Sequence, residues 1–410
     1  MKIALIRRQF SSTGGAELYL QRLLGALAAA GHELHLLTEA WPNAAPGVMI
    51  HPVAAGGSRA HRPRLFAEAV QREIATESFD CVFSLDRTLR QDVYRAGDGV
   101  HRVWLERRRQ FAPWWRKPWI GAGAFHRTML ELERRTFDPT STSRVIANSG
   151  MVKQEIVDHF RFPPDRIHVV RNGVDVARMR SGDRAAARAR FGAKNGEFLL
   201  LFVGSGWERK GLPFLLRTMF LCQNASREWE ARFQEGVEQA LRDAESGKPA
   251  LSAAGKHGPG GLETIKLLVI GKGKRPFRVP KNVSFARPVS EIEQAYAAAD
   301  LFVFLPIYEP SANVVCEALA AGVPVVTSAL NGASELIQQG VNGSVIQNPS
   351  DLGCVARAIG YWWSRRAKGF SIDSDQLSLE RNVRETLEIL EFSAKERLRL
   401  ATTGGSASSI

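Results

Sequence analysis

Two glutamates stand eight residues apart in EPSANVVCEALAAGVPVV, residues 309 to 326, where nearly every other side chain is apolar. Charge buried in such surroundings is costly unless something polar meets it. One reading puts Glu309 and Glu317 at the exposed ends of a core helix. The other has them accept hydrogen bonds from different hydroxyl groups of one ligand. Pro310 disfavours helix at Glu309, so that residue belongs to a loop. A helix is predicted to start near Asn313, an acceptable cap, with Glu317 about one turn in. The free amides of Asn313 and Val314 at that helix start would attract phosphate.

A second stretch, VGSGWERKGL at 203 to 212, ends an apolar run in Gly204-Ser205-Gly206 and sets Arg209 and Lys210 just before Gly211. Two cations beside bare backbone suit a diphosphate, whose charge must be neutralised as a bond to it breaks. A solvated basic pair is the alternative. In SSTGGAE, Gly14 and Gly15 leave amides bare at a helix start, where phosphate can bind, or they form a plain turn. The stretch is not Gly-x-Gly-x-x-Gly, so a dinucleotide fingerprint is absent. Asp98, between Gly97 and Gly99, reads as a turn residue. His101 nearby reads as structural or functional. No Asp-x-Asp within the motifs above and no histidine cluster is read as holding a metal.

HRVWLERRRQFAPWWRKPW, residues 101 to 119, sets four tryptophans among many arginines. Three readings stand: indoles and arginines at an anionic membrane surface, stacking on single-stranded nucleic acid, or a core-packed loop with a solvated basic rim.

The elements that must position these residues follow from the hydrophobic pattern. KIALIRR, ELHLLTE, DCVFSLD, RVIANS and IHVVRNG are strand candidates in the first part of the chain. FLLLFVGS, KLLVIGKG, VSFAR, LFVFLP, PVVTS and SVIQN follow in the second. Helical segments lie between them, and strand-helix-strand succession implies parallel pairing. The reading is α/β, with two doubly wound Rossmann-like domains: residues 1–174 and residues 175–365. Residues 223–262 look like a mobile insertion, and 366–410 like a helical segment ending in a disordered tail. In open α/β sheets, ligands sit beyond the carboxyl ends of strands, where the glycine-rich and acidic loops above fall.

At 410 residues two domains are the default. A composition of 44% hydrophobic and 24% charged residues is that of a globular chain. The formal net charge of +13 favours an anionic partner: nucleic acid, an acidic membrane face or a phosphorylated substrate. No run reaches the apolar length of a bilayer span, and MKIALIRRQFSSTGG lacks a long apolar signal core. The expectation is a cytoplasmic protein, peripheral on the inner membrane at most. Its four scattered cysteines are then reduced core residues.

The run from Glu309 to Glu317 resembles the Glu-x7-Glu signature of family 4 glycosyltransferases, retaining enzymes of the GT-B fold whose two lobes face each other across a cleft. GGAE, RNGVD at 171 to 175, GSGWERKG and EALAAGVPVVTS followed by NGASELI agree with it, in the right order over most of the chain. RAGDGVHRVWLERR and the ELERRTF segment resemble the lipopolysaccharide core glucosyltransferases within that family. The resemblance implies that Glu317 binds ribose hydroxyls, Glu309 holds the transferred sugar, and Arg209 and Lys210 bind the diphosphate. It further implies that Gly15 approaches the donor phosphates, that the backbone from Arg287 to Val289 borders the base, and that Asp98 faces sugar and acceptor. Gly204, Ser205, Asn313 and Val314 complete the expected donor site. Ala312 stands where the family pattern has glycine.

What the resemblance implies is transfer of a hexose, glucose foremost, from a nucleotide-diphosphate sugar to a lipid-linked saccharide such as lipopolysaccharide core. No metal cofactor and no nucleic acid partner are expected. An epimerase or phosphorylase on the same fold, or a basic nucleic-acid-binding protein, are the alternatives.

Overall fold

Runs of Leu, Val, Ile and Phe too short for helices become strands buried on both faces, the pattern of parallel sheets covered by crossover helices. The computed structural model describes residues 1–9, 15–41, 47–224, 227–245, 264–365, 370 and 372–404. It divides into two units, Met1–Arg171 with Glu380–Ile410, and Asn172–Leu379.

The first unit holds β1 (Lys2–Ile6), β2 (Glu33–Thr38), β3 (Val48–Pro52), β4 (Cys81–Ser84), β5 (Gln91–Ala96), β6 (Thr142–Ala147) and β7 (Ile167–Val169). They form one parallel sheet in the order β3-β2-β1-β4-β5-β6-β7. Its helices are α1 (Gly15–Ala29), α2 (Arg62–Thr76), α3 (His101–Phe111), α4 (Ala124–Thr136) and α5 (Gly150–Phe160). Two strands were not legible in the hydrophobic pattern. β3 is a partly exposed edge strand. β5 carries Gln91 and Arg95 inside, and Gln91 Oε1 accepts a hydrogen bond from Thr88 Oγ1. Buried polar groups survive where they are paired.

The second unit opens with α6 (Val176–Arg180) and α7 (Arg184–Arg190). These fill the Arg/Ala-rich stretch where the strand rhythm breaks. Asp175 and Asp183 cap them, and Arg184 and Arg188 both reach Asp300, at 2.5 and 3.0 Å. β8 (Phe198–Val203), α8 (Leu212–Gln223), α9 (Arg227–Glu245), β9 (Ile265–Ile270), β10 (Val283–Ala286), α10 (Ile292–Ala298) and β11 (Leu301–Phe304) follow. α11 (Asn313–Ala320), β12 (Val325–Ser328), β13 (Gly343–Ile346) and α12 (Leu352–Arg365) complete it. The sheet order is β10-β9-β8-β11-β12-β13, again all parallel.

Within the expected mobile insertion 223–262, residues 227 to 245 are instead the packed helix α9. Its charged sequence hides an apolar stripe: Trp229 and Phe233 are buried, and Phe233 meets Trp363 edge-on at 5.4 Å. Gly236 and Gly360 let the α9 and α12 backbones approach, since a Cβ on Gly360 would stand 2.1 Å from the Phe233 carbonyl oxygen. Residues 225, 226 and 246–263 lie outside the described residues.

The last helix, α13 (Leu379–Gly404), returns to the first unit. Ile389, Leu390 and Ala394 join the core built on β1 and β2, and Arg144 and Asp92 hold Glu396 and Arg397 at 3.0 and 2.8 Å. The expected tail is helical through Gly404, and residues 405–410 lie outside the described residues.

Candidate active site

In the second unit the chain leaves β8 for β9 and β10 on one side, then jumps back to β11 on the other. The topological switch therefore falls between β8 and β11, the place where open α/β sheets bind ligands. The loop after β8 carries Arg209 and Lys210. The loop after β11 carries Glu309 and leads into α11, which carries Glu317.

Backbone contacts lock these loops together. Ile307 N donates to Arg209 O at 2.9 Å. Gly211 has φ +77°, and a Cβ there would fall 1.6 Å from the Leu305 carbonyl oxygen, so only glycine lets the first loop close on the second. Gly204 N donates to Ile270 O, and the Ser205 hydroxyl accepts from Lys272 N at 3.0 Å, tying in the loop after β9. Trp207 donates to Gly204 O at 2.9 Å and tilts against Phe285 at 5.5 Å.

Glu309 is outside any helix, in line with the proline after it. Its amide donates to Leu330 O and its carbonyl accepts from Gly332 N, both at 2.9 Å. Asn331, wholly buried, fixes this arrangement. Its Oδ1 accepts from Ala312 N and Ala333 N, and its Nδ2 donates to Thr327 Oγ1. Glu309 Oε2 lies 3.2 Å from Arg209 Nη2, yet that oxygen is buried and the pair lacks the alignment of a hydrogen bond.

Lys210 is half-buried, with Nζ 5.8 Å from the Phe304 ring centre and no hydrogen bond to any described residue. Burial lowers its pKa, Glu309 and Glu317 oppose that, and Arg209 adds to it. Lys210 thus senses the charges of the other three. Glu317 Oε2 accepts from Tyr296 Oη at 2.7 Å. Burial raises its pKa despite that bond, while part of the side chain still reaches solvent.

The capping expectation needs correction. Ala312, not Asn313, is the cap of α11, and it offers no side-chain hydrogen bond. Asn313 is already helical, and its Oδ1 accepts from Asn172 Nδ2 at 2.7 Å. Asn331 does part of the capping instead, through Ala312 N. The amides of Asn313 and Val314 still open the helix without an intrahelical acceptor. Ala312 sits at φ −76° and ψ 111°, an ordinary conformation that needs no glycine.

The remaining candidates are placed more loosely. Arg287, just past β10, is exposed and among the described residues has no ion pair, while Val289 packs partly into the core. In the first unit Gly15 is the first residue of α1, and residues 10–14, Gly14 included, lie outside the described residues. Asp98 is exposed at the end of β5, in the turn closed by Gly99 N donating to Ala96 O. Below it lies a buried network. Arg87 Nη2 donates to Gly99 O at 2.7 Å and meets Glu133 Oε1 at 3.1 Å. Glu133 in turn accepts from the amides of His101 and Arg102 at the start of α3. His101 Nε2 lies 3.0 Å from His126 Nδ1. Burial first, then Arg87 and His126, lower the His101 pKa to about 4.

Sequence reading missed Tyr296, Asn331, Trp207 and Glu133. Asn331 lies inside the NGASELI motif but was not given a role. The other three are second partners whose purpose is visible only when their targets are in place. The expectation that no histidine cluster exists also needs correction. His35 and His51, sixteen residues apart, meet across β2 and β3 with Glu77 beside them. Strand pairing, not spacing, brings them together. Trp114, Trp115 and Trp119 are 79%, 59% and 78% exposed, so the core-packed reading fails for these three, while Val103 and Leu105 earlier in the stretch are buried.

Residues 13–178 match the family described as Glycosyltransferase Family 4, and residues 253–364 match Glycosyl transferases group 1. The chain is a family 4 glycosyltransferase. It is 28% identical over 412 residues to D-inositol 3-phosphate glycosyltransferase of Nocardia farcinica, covering 87% of this chain and 83% of that protein. It is 31% identical to the enzyme of the same name in Geodermatophilus obscurus, over 53% of this chain and 45% of that one. Its fold is similar to WaaG, a glycosyltransferase involved in lipopolysaccharide biosynthesis, with TM-score 0.69 and 21% identity over 95% of this chain and 99% of that one. HepE of Anabaena, solved with UDP-glucose, gives TM-score 0.60 and 17% identity over the same shares. The GT-B architecture and the assignment as a hexosyltransferase therefore hold for this family 4 glycosyltransferase.

Proposed function

We propose that this glycosyltransferase moves a hexose, glucose in the first instance, from a UDP-sugar to a hydroxyl of a lipid-linked saccharide such as lipopolysaccharide core, with retention at the anomeric carbon. The observation that carries the reading is the pairing at the switch point. Among the described residues a half-buried lysine makes no hydrogen bond, and a buried carboxylate oxygen within its electrostatic reach meets Arg209 only as an ion pair. The first suits a diphosphate and the second a sugar hydroxyl.

In this reading Arg209, Lys210 and the amides of Asn313 and Val314 neutralise the diphosphate without a metal. Glu317, held by Tyr296, takes the ribose hydroxyls, and Gly204, Ser205, Arg287 and Val289 border the nucleotide. The bond from the anomeric carbon to the diphosphate oxygen breaks as the acceptor oxygen bonds to that carbon on the same face. The acceptor proton passes to the departing diphosphate. Glu309 orients the sugar and is not a nucleophile. Gly15 and Asp98 belong to this proposal on the resemblance alone. The solved HepE complex with UDP-glucose supports the donor. Lipopolysaccharide biosynthesis by WaaG supports the acceptor class, whereas the relatives named for inositol 3-phosphate favour a phosphorylated polyol as a second reading.

Screening nucleotide sugars and acceptors with the purified protein tests this. Transfer from UDP-glucose to a lipid-linked saccharide is the expected product. Epimerised donor or free sugar phosphate would instead point to the epimerase or phosphorylase alternative, and salt-dependent nucleic acid binding without UDP affinity to the third. Within the reading, Glu317→Ala weakens UDP binding about 10- to 100-fold by loss of a charged hydrogen-bond partner, while Glu309→Ala spares UDP binding and lowers turnover. Calorimetry with UDP and steady-state kinetics separate the two; equal loss of UDP affinity refutes the division.

We place the protein in the cytoplasm and on the inner membrane surface through residues 101–119. Among the described residues no helix is long and apolar enough to cross a membrane. Three exposed indoles flanked by Arg107, Arg108, Arg116 and Lys117 support docking at an anionic headgroup layer. Replacing Trp114, Trp115 and Trp119 by alanine is expected to cut partitioning onto anionic vesicles; unchanged partitioning sinks the membrane role.

A further inference from the structure

At the edge of the first unit's sheet, two imidazoles face each other across β2 and β3. His35, almost wholly buried, and His51 point inner nitrogens at one another, with Nδ1 of the first 2.7 Å from Nε2 of the second. Each outer nitrogen faces a carboxylate: His35 Nε2 lies 2.9 Å from Glu33 Oε1, and His51 Nδ1 lies 3.4 Å from Glu73 Oε1. Carboxylates in those places take the outer N–H of each ring and leave both inner nitrogens as lone pairs. One shared proton satisfies two lone pairs at that separation, and a metal ion does so once the rings part by a few tenths of an ångström.

Glu77, just past the end of α2, supplies a third donor. Its Oε1 is taken by Lys2 Nζ at 2.5 Å, and its Oε2 turns toward the imidazoles, 3.7 Å from His35 Nδ1. One ligand atom from each of His35, His51 and Glu77 falls within 4.8 Å of the others. The ring of His35 is held by an edge contact to Phe79 at 5.2 Å. Three carboxylates, those of Glu33, Glu73 and Glu77, surround the cluster, and among the described residues Lys2 is the one lysine or arginine paired with them, an excess of two negative charges that a divalent ion would balance.

We propose that His35 Nδ1, His51 Nε2 and Glu77 Oε2 bind a zinc-class divalent metal ion, with Glu33 and Glu73 as the outer partners that orient the imidazoles. Two nitrogens and one carboxylate oxygen suit zinc, with water as the fourth ligand. The site bolts the edge strand β3, whose Met49 and Ile50 are exposed, to β2 and to the end of α2. It is separate from the donor machinery, and its role is to hold the fold of the first unit.

The test uses the full-length protein stripped with chelator and titrated with zinc alone, then with cobalt alone. One equivalent of zinc bound per chain, with an unfolding midpoint that rises with free zinc, is expected. Cobalt should give a tetrahedral nitrogen–oxygen spectrum without a thiolate band. His51→Gln and Glu77→Gln, both at partly exposed positions, should abolish the stoichiometric binding. Glu73→Gln should weaken it roughly 10- to 100-fold, because only an outer partner is lost. Absence of binding, binding unchanged in His51→Gln, or a thiolate-to-cobalt band overturns the proposal, and the pair then shares a proton instead.

Discussion

The loops at the strand ends of the two units handle charge in opposite ways. Beyond β5 in the first unit, Arg87 and Glu133 are both buried and ion-paired, and Glu133 also caps α3, while Arg87 Nε is left without a hydrogen bond among the described residues. The group expected to meet substrate, Asp98, stands exposed above them. Between β8 and β11 in the second unit, Lys210 is half-buried and makes no hydrogen bond among the described residues, and a buried Glu309 oxygen meets Arg209 only as an ion pair at 3.2 Å. One region uses its buried charge to hold a turn still; the other leaves buried polar capacity open. Unsatisfied groups cost stability, and they persist where a ligand completes them.

If this contrast is correct, charge removal should hurt folding in the first unit and catalysis in the second. The largest effect is expected from Glu133→Gln. Glu133 is fully buried, and its loss strands Arg87 without a counter-ion, which costs about 3 to 5 kcal/mol. Urea unfolding followed by probes in each unit checks it. A loss below about 1 kcal/mol, the range of surface ion pairs, would show that the network is not what supports the loop.

Lys210→Ala should act the other way. Removing a positioned charge that meets developing negative charge lowers turnover about 10²- to 10³-fold. Stability should hold or rise, since a desolvated cation with no hydrogen bond is removed. Steady-state kinetics with the identified donor, together with thermal unfolding, separate the two effects. A variant that loses folding and activity in parallel would erase the distinction between the units.

How much of this was legible beforehand follows the same divide. The donor-side residues lie in two short loops, each announced by its own punctuation: Gly204-Ser205-Gly206 and Gly211 around Arg209 and Lys210, Pro310 after Glu309. Local backbone chemistry placed them, and all six strands of that unit were apparent as apolar runs. The supports were not. Tyr296 reaches Glu317 from twenty-one residues away, and Asn331 steadies Glu309 from the far side of β12. Glu133 serves α3 from a later helix. A side chain that works by reaching another element carries no local signature. β5 was hidden because the polar side chains of Gln91, Asp92 and Arg95 interrupt its buried Val93, Tyr94 and Ala96, and α9 because its Trp229 and Phe233 stripe is diluted by surface charge. His35 and His51 came together only through strand register.

The smallest expected effect is a difference in acid response. His32, His101, His126 and His168 all belong to the first unit, and burial lowers the pKa of each. For His101, brought to about 4, the unfolded chain takes up its proton below about 6.5 while the folded unit refuses it. Stability of that unit therefore falls as pH drops through this window, and below about 4 this contribution stops changing. Glu317 in the second unit has a raised pKa, so the folded form gains its proton before the unfolded one does. Falling pH stabilises that unit until the unfolded value of 4.5 is reached. The carboxylates with lowered values there, Glu235 and Asp351, register only near or below their ordinary 4.5 and 3.8. Hydrogen exchange measured from neutral pH down to about pH 5 should show the first unit losing protection while the second keeps it. His101→Gln should flatten part of the loss. Equal loss in both units would mean that their buried charges are not handled differently after all.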